Sequence, residues 1–166
     1  MNRLMVVATF LPALAHAADG GETLCGTYFE RESEAYGYIT CDGSRVSPAA
    51  YIFAHEFTAG GISANLLPGR GWRYINTAGE VLVDPYVFDN GPDYFVEGFS
   101  RFVEDGRIGF INESGEIVVD ARYEAAFPVE DGVARVGSGC EVVPVDESGE
   151  YTRWECGEWV SVAIRR

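Results

Sequence analysis

Aromatic and glycine landmarks return along the chain at almost constant separation, and that recurrence restricts the fold more than any other feature. Tyr38, Tyr74 and Phe110, each followed by isoleucine, stand 36 residues apart, and Gly43, Gly79 and Gly115 follow them by five residues each. A second landmark, glycine then an apolar residue then Ser or Ala, recurs at Gly61-Ile62-Ser63, Gly98-Phe99-Ser100 and Gly132-Val133-Ala134, with spacings of 37 and 34. Periods of roughly 20 to 50 residues mean stacked supersecondary units, each too small to cover its own apolar face.

The units read as β-structure. Phe99, Arg101 and Val103 alternate with Ser100 and Phe102 in a short segment, Asp105-Gly106 supplies a hairpin turn, Ile108 to Asn112 makes a second strand, and Glu113-Ser114-Gly115 turns into Glu116 to Val119. Ile62 to Leu66, Trp72 to Asn76 and Glu80 to Val83 repeat that order one unit earlier. Longer links follow, at 84–94 and 120–127, too polar and glycine-interrupted for long helices, although Ala50 to Phe57 has the length for a helical turn or two. The expectation is an all-β single domain built from tandem three-stranded antiparallel meanders. It has about four units with degenerate ends, stacked openly or partly closed. Phe57, Phe95 and Phe127, each shortly before a glycine landmark, are the expected plugs between units.

Met1-Asn2-Arg3, an apolar run from Leu4 to Leu14 and Ala15-His16-Ala17 have the order of a secretory signal peptide cleaved after Ala17. The run is shorter than the roughly 20 residues of a spanning helix. Residues 1–17 are therefore expected to be a leader and 18–166 the repeat domain, periplasmic or secreted, with no membrane insertion after cleavage. The formal charge of −14 argues against nucleic acid as a partner, because phosphate backbones are bound by cationic contacts.

Four cysteines in an exported chain read as two disulfides. Cys25 and Cys41 are 16 residues apart, as are Cys140 and Cys156, and a polar turn lies midway in each pair, at Arg31 to Glu34 and at Asp146 to Glu150. If each pair faces across a hairpin, the bridges are Cys25–Cys41 and Cys140–Cys156, stapling the end units. A Cys25–Cys156 bridge would instead close the array into a ring. The spacing lacks the short knuckle of a zinc site, and no metal or cofactor is expected.

The stretch from Gly109 to Val118, continued by Tyr123-Glu124-Ala125, Phe127 and Glu130 to Val136, resembles the bacterial WG-repeat family. Trp72 to Pro85, joined to Phe95 to Ser100, resembles a second copy. The resemblance covers roughly residues 36 to 150. The Trp-Gly pair that names the family is split here into Trp72-Arg73, Ile108-Gly109 and Tyr36-Gly37. It implies a β-rich interaction or structural module with no shared catalytic site.

The inventory for chemistry is short. His55 is the only histidine after the leader, and no Gly-x-Ser-x-Gly elbow presents a nucleophile; Gly137-Ser138-Gly139 reads as a loop. The acidic residues are too numerous and scattered for any pair to single out a glycosidase. Asp89-Asn90-Gly91-Pro92-Asp93 clusters oxygen ligands but lacks calcium-loop spacing and is good turn chemistry by itself. Asn112-Glu113-Ser114 reads as a turn element. The candidate binding residues are the aromatics Trp72, Trp154 and Trp159, whose alternative role is core. The expected function is an exported, non-enzymatic repeat protein that binds another macromolecule, protein before carbohydrate, with a carboxylate-dependent hydrolase as the least favoured reading. Coplanar exposed rings would indicate sugar, an apolar patch with an arginine rim would indicate protein, and a pocket with raised carboxylate pKa values would indicate an enzyme.

Overall fold

The computed structural model describes residues 23–165 apart from 44–46, 148 and 150, so the expected leader lies outside the described residues. Every element is a strand: β1 (Leu24–Glu30), β2 (Ala35–Thr40), β3 (Phe53–Ala54), β4 (Ile62–Leu67), β5 (Gly71–Asn76), β6 (Asp84–Pro85), β7 (Val87–Phe88), β8 (Gly91–Pro92), β9 (Phe99–Glu104), β10 (Arg107–Asn112), β11 (Ile117–Tyr123), β12 (Ala125–Ala126), β13 (Val133–Pro144) and β14 (Thr152–Ala163). They form five small sheets, ordered β1-β2, β3-β4-β5, β6-β9-β10-β11, β7-β8 and β12-β13-β14, all antiparallel and none closed. The four long hairpins, β1-β2, β4-β5, β9-β10 and β13-β14, are the four expected units.

All six glycine landmarks have positive φ, from 70° at Gly43 to 92° at Gly61. Side chains avoid that region and glycine does not, so the turns hold the period in place. The turn after β5 is organised by Asn76, whose Oδ1 accepts from the backbone N–H of Ala78 and Glu80, 3.0 Å each. Asn112 does the same after β10 with Ser114 and Glu116, again at 3.0 Å. Its role is the turn expected of it.

The meander holds for the third unit, where β11 pairs with β10. In the second, Glu80 to Val83 runs beside β5 through Asn76 N–H to Glu80 O, Leu82 N–H to Tyr74 O and Tyr74 N–H to Val83 O, with the bridge Ile75↔Val81, and the chain then crosses as β6 to pair with β9 of the next unit. The links thus hydrogen-bond backward and forward: β3, β6 and β12 each pair with the first strand of the following hairpin. Ala50 to Phe57 contains β3 and no helical turn, because its backbone is engaged by Tyr36 on one side and Leu66 and Ala64 on the other. The 84–94 link carries an inserted hairpin, β7-β8. Its corner is Asp89 (φ 49°) and Asn90 (φ 65°), the two-residue turn with both angles positive that such a hairpin favours.

Each hydrophobic cluster spans a junction. Tyr38, Ala54 and Ile75 join the first two units; Ile62, Ala64, Tyr74, Phe102 and Ile111 join the second and third; Phe99, Phe110, Val129, Ala134, Val136 and Ile164 are among those joining the third and fourth. A lone hairpin of this size is marginal in water, so these shared interiors hold the array together, each fully buried side chain contributing about 1.5–3 kcal/mol. Phe57 and Phe95 act as the expected plugs, packing at 4.9 Å on Tyr38 and 5.7 Å on Tyr74. Phe127 does not. It is 42% exposed, and Val129, three residues before Gly132 as Phe95 is before Gly98, fills the buried place.

Both disulfides join the expected partners, Cys25–Cys41 and Cys140–Cys156, so the ring-closing alternative is excluded. Cys140 and Cys156 are register partners in β13-β14, and Cys25 sits at a bulge between Leu24 and Gly26.

Candidate functional site

Two groups of aromatic side chains gather on the surface, and each arises from strand register. In the first, Phe29 and Tyr36 are cross-strand partners in β1-β2, Tyr36 bridges to the link before β3, and Phe53 of β3 pairs with Leu66, itself opposite Trp72. Their rings form a chain: Phe29 to Tyr36 at 5.0 Å, Tyr36 to Phe53 at 5.5 Å and Phe53 to Trp72 at 6.1 Å, with His55 between the last two at 5.0 and 5.6 Å. Phe29 is 50% and Phe53 42% exposed. The Trp72 indole donates to Asn90 O at 3.2 Å, which ties it to the inserted hairpin. Beside the strip, His55, Phe88, Tyr94 and Phe95 help to line a cleft of about 310 Å³. Desolvation pushes the His55 imidazole below its ordinary pKa. The rings are inclined to one another by 43° to 64°, so they form a ridge and not a flat platform.

The second group lies at the fourth unit. Phe127 packs edge-on against Trp154 at 5.6 Å and lies tilted by 33° against Trp159 at 5.4 Å, and Trp154 also approaches Tyr86. Trp154 leans on the buried cluster of the last junction, so its role is largely core. The Arg135 guanidinium lies 4.5 Å from the Trp159 ring centroid and occupies that face. The structure thus places Trp72 in one group and Trp154 and Trp159 in the other.

Among the charged residues, Asp93 and Arg101 form a bidentate ion pair, both side chains 5% exposed, with Arg101 Nη1 also donating to Ala126 O at 2.7 Å. Every buried donor in this pair is satisfied, so it clamps the inserted hairpin to the next link. Glu124 accepts from the Cys140 N–H at 2.6 Å and pairs with Arg107, and these partners hold its carboxyl below the usual range. A general acid needs the opposite shift.

Phe29, Phe53 and Arg135 are members of these groups that reading the sequence for tryptophans misses. Strand alternation would have flagged the two phenylalanines, and Arg135 stands three residues after Gly132 as Arg101 stands three after Gly98.

No curated protein and no solved structure matches the chain. The family described as WG containing repeat matches residues 72–107 and 108–138, which contain the whole β9-β10-β11 sheet together with the strands that precede and follow it. Residues 72–138 of the chain are therefore similar to the WG containing repeat family.

Proposed function

We propose that this chain is an exported, non-enzymatic β-repeat module that binds another protein through the strip of Phe29, Tyr36, Phe53 and Trp72. The observation that carries the reading is the strip itself: aromatic rings in contact across two units, with Phe29 and Phe53 half exposed although neither is needed to close a junction cluster. Solvent-exposed rings in contact are what protein interfaces use as anchors, because they bring area with little rotamer entropy. Sugar recognition would be favoured by parallel, unoccupied ring faces, whereas these rings tilt and Arg135 already covers Trp159. Export is supported by the two bridges, which suit an oxidising compartment, and by the amino-terminal pattern ending at Ala17. Among the described residues no helix is long and apolar enough to cross a membrane.

The test is capture from a cell-envelope extract on immobilised wild-type chain and on Phe29→Ala/Phe53→Ala, with mass spectrometry of what is retained. The reading expects a protein enriched on the wild type and depleted at least tenfold on the variant. Retention of glycan alone, or of the same proteins by both, overturns it.

A further inference from the structure

We propose that Arg135 is a carboxylate-binding site, taking an Asp or Glu side chain of a protein partner whose adjoining apolar side chain enters the hollow beside it. This rests on the protein-binding reading and names a second, chemically distinct contact.

The repeat supplies its own template. One backbone hydrogen bond recurs in three units: His55 N–H to Ala64 O at 3.1 Å, Tyr86 N–H to Arg101 O at 3.0 Å, and Phe127 N–H to Arg135 O at 2.9 Å. Arg101 and Arg135 thus hold the same place in successive units. Each guanidinium lies by the ring of the residue bonded to it, 4.3 Å from Tyr86 and 5.7 Å from Phe127, and Arg135 has Trp159 as a second ring.

They differ in what completes them. Arg101 takes the Asp93 carboxylate with Nε at 2.7 Å and Nη2 at 2.8 Å. Asp93 is delivered by the inserted hairpin β7-β8, which makes the path from Tyr86 to Gly98 twelve residues long. From Phe127 to Gly132 the path is five residues, and no hairpin is inserted. Arg135 is left exposed, with no ion pair among the described residues. Beside it is an open hollow of about 690 Å³, bounded in part by Val96, Phe127, Val129 and Val133.

The chemistry of the vacancy is that of its filled counterpart. A guanidinium stacked on a ring keeps its edge N–H groups directed outward, already oriented for a forked contact, so little rotamer freedom is lost when a carboxylate arrives. The apolar wall favours a carboxylate carried beside a hydrophobic side chain over a freely hydrated one. The net charge of −14 opposes acidic ligands in general, so a carboxylate would be held here by the oriented fork and not by the overall field.

The test is an NMR titration of the oxidised full chain with two capped peptides, acetyl-Phe-Glu-Phe-amide and acetyl-Phe-Gln-Phe-amide. The signals followed are the Arg135 Nε–H and the Trp159 indole N–H. The Glu peptide is expected to move both saturably and to bind at least tenfold more tightly than the Gln peptide. Arg135→Gln should abolish that preference, and Arg135→Lys, which keeps the charge but not the fork, should retain only part. Equal affinity of the two peptides, or a preference that survives Arg135→Gln, overturns the site. Acetate or glucuronate binding as tightly as the Glu peptide overturns the assignment to protein. Envelope-protein capture that needs Phe53 but is indifferent to Arg135→Gln leaves the binding reading standing and removes this one.

Discussion

The Tyr74 hydroxyl lies 2.8 Å from Ser100 Oγ, buried at the junction between the second and third units, with Asp93 O within 3.4 Å of both oxygens. Tyr38 meets Ser63 at the same 2.8 Å one junction earlier, with Ser63 donating to His55 O. At the third junction the tyrosine becomes Phe110 and the serine becomes Ala134, both in one buried cluster. Hydroxyls are therefore present in pairs or absent in pairs, as expected when a buried polar group costs more unpartnered than its bond returns.

A double-mutant cycle on Tyr74 and Ser100 follows. Tyr74→Phe and Ser100→Ala should each destabilise the chain by about 1–3 kcal/mol, because each leaves the other hydroxyl buried with only long contacts, to Asp93 O for Tyr74 and to Asp93 O and Arg101 O for Ser100. The double variant, which imitates Phe110 and Ala134, should cost less than the sum by about 1 kcal/mol in urea unfolding. Strict additivity would show that the two hydroxyls do not depend on each other.

The same burial raises the phenol pKa of both Tyr38 and Tyr74 to about 12. A folded pKa above the ordinary value of 10 means that folding favours the neutral phenol. The contribution is complete below pH 10 and is lost as the pH rises toward 12. Absorbance titration at 295 nm should show two tyrosines ionising only with alkaline unfolding, and Tyr74→Phe should remove one. Ionisation of all nine tyrosines near pH 10 in a still-folded chain would contradict the junction geometry.

Most of the architecture was legible because the turns are covalently demanding. The positive φ at Gly61, Gly98 and Gly132 can be met cheaply only by glycine, so the period is written in the residues. The bridges were legible because equal spacing about a polar centre is what a hairpin requires. The crossing of β6 into the next unit was not, since Glu80 to Val83 has the composition of a strand, and only pairing with Ile75 and Phe102 decides where the chain goes. The aromatic strip was legible only in part. Alternation says that some rings face outward, but which ones touch depends on how β3 is positioned between two hairpins. Phe127 is not the plug because the buried place lies three residues before the landmark glycine, where Val129 sits, and Phe127 lies five before it.

Gly137 and the Cys140–Cys156 bridge exclude each other's enlargement. A Cβ at Gly137 would stand 2.5 Å from Cys156 Sγ and 2.8 Å from Cys140 Sγ, with no open space to yield. Gly137→Ala should therefore cost about 1–3 kcal/mol in the oxidised chain, the usual range for overpacking. In the Cys140→Ala/Cys156→Ala background both sulfurs are gone, and the cost of the same substitution should fall by at least half. An unchanged cost would mean that the strand tolerates no side chain there for a reason other than the bridge.

His55 offers a direct reading of the aromatic strip. Its imidazole sits 5.0 Å from Phe53 and 5.6 Å from Trp72, and desolvation lowers its pKa from the ordinary 6.5. The unfolded chain then binds a proton that the folded chain resists, so this contribution to stability is complete above pH 6.5 and declines as the pH falls through the folded value. The imidazole Cε1–H resonance should titrate with a midpoint below 6.5. Phe53→Ala and Trp72→Ala, which admit water to the ring, should move the midpoint back toward 6.5, and Phe127→Ala, in the other aromatic group, should leave it in place. A midpoint at or above 6.5 in the wild-type chain would show that Phe53 and Trp72 do not desolvate the imidazole.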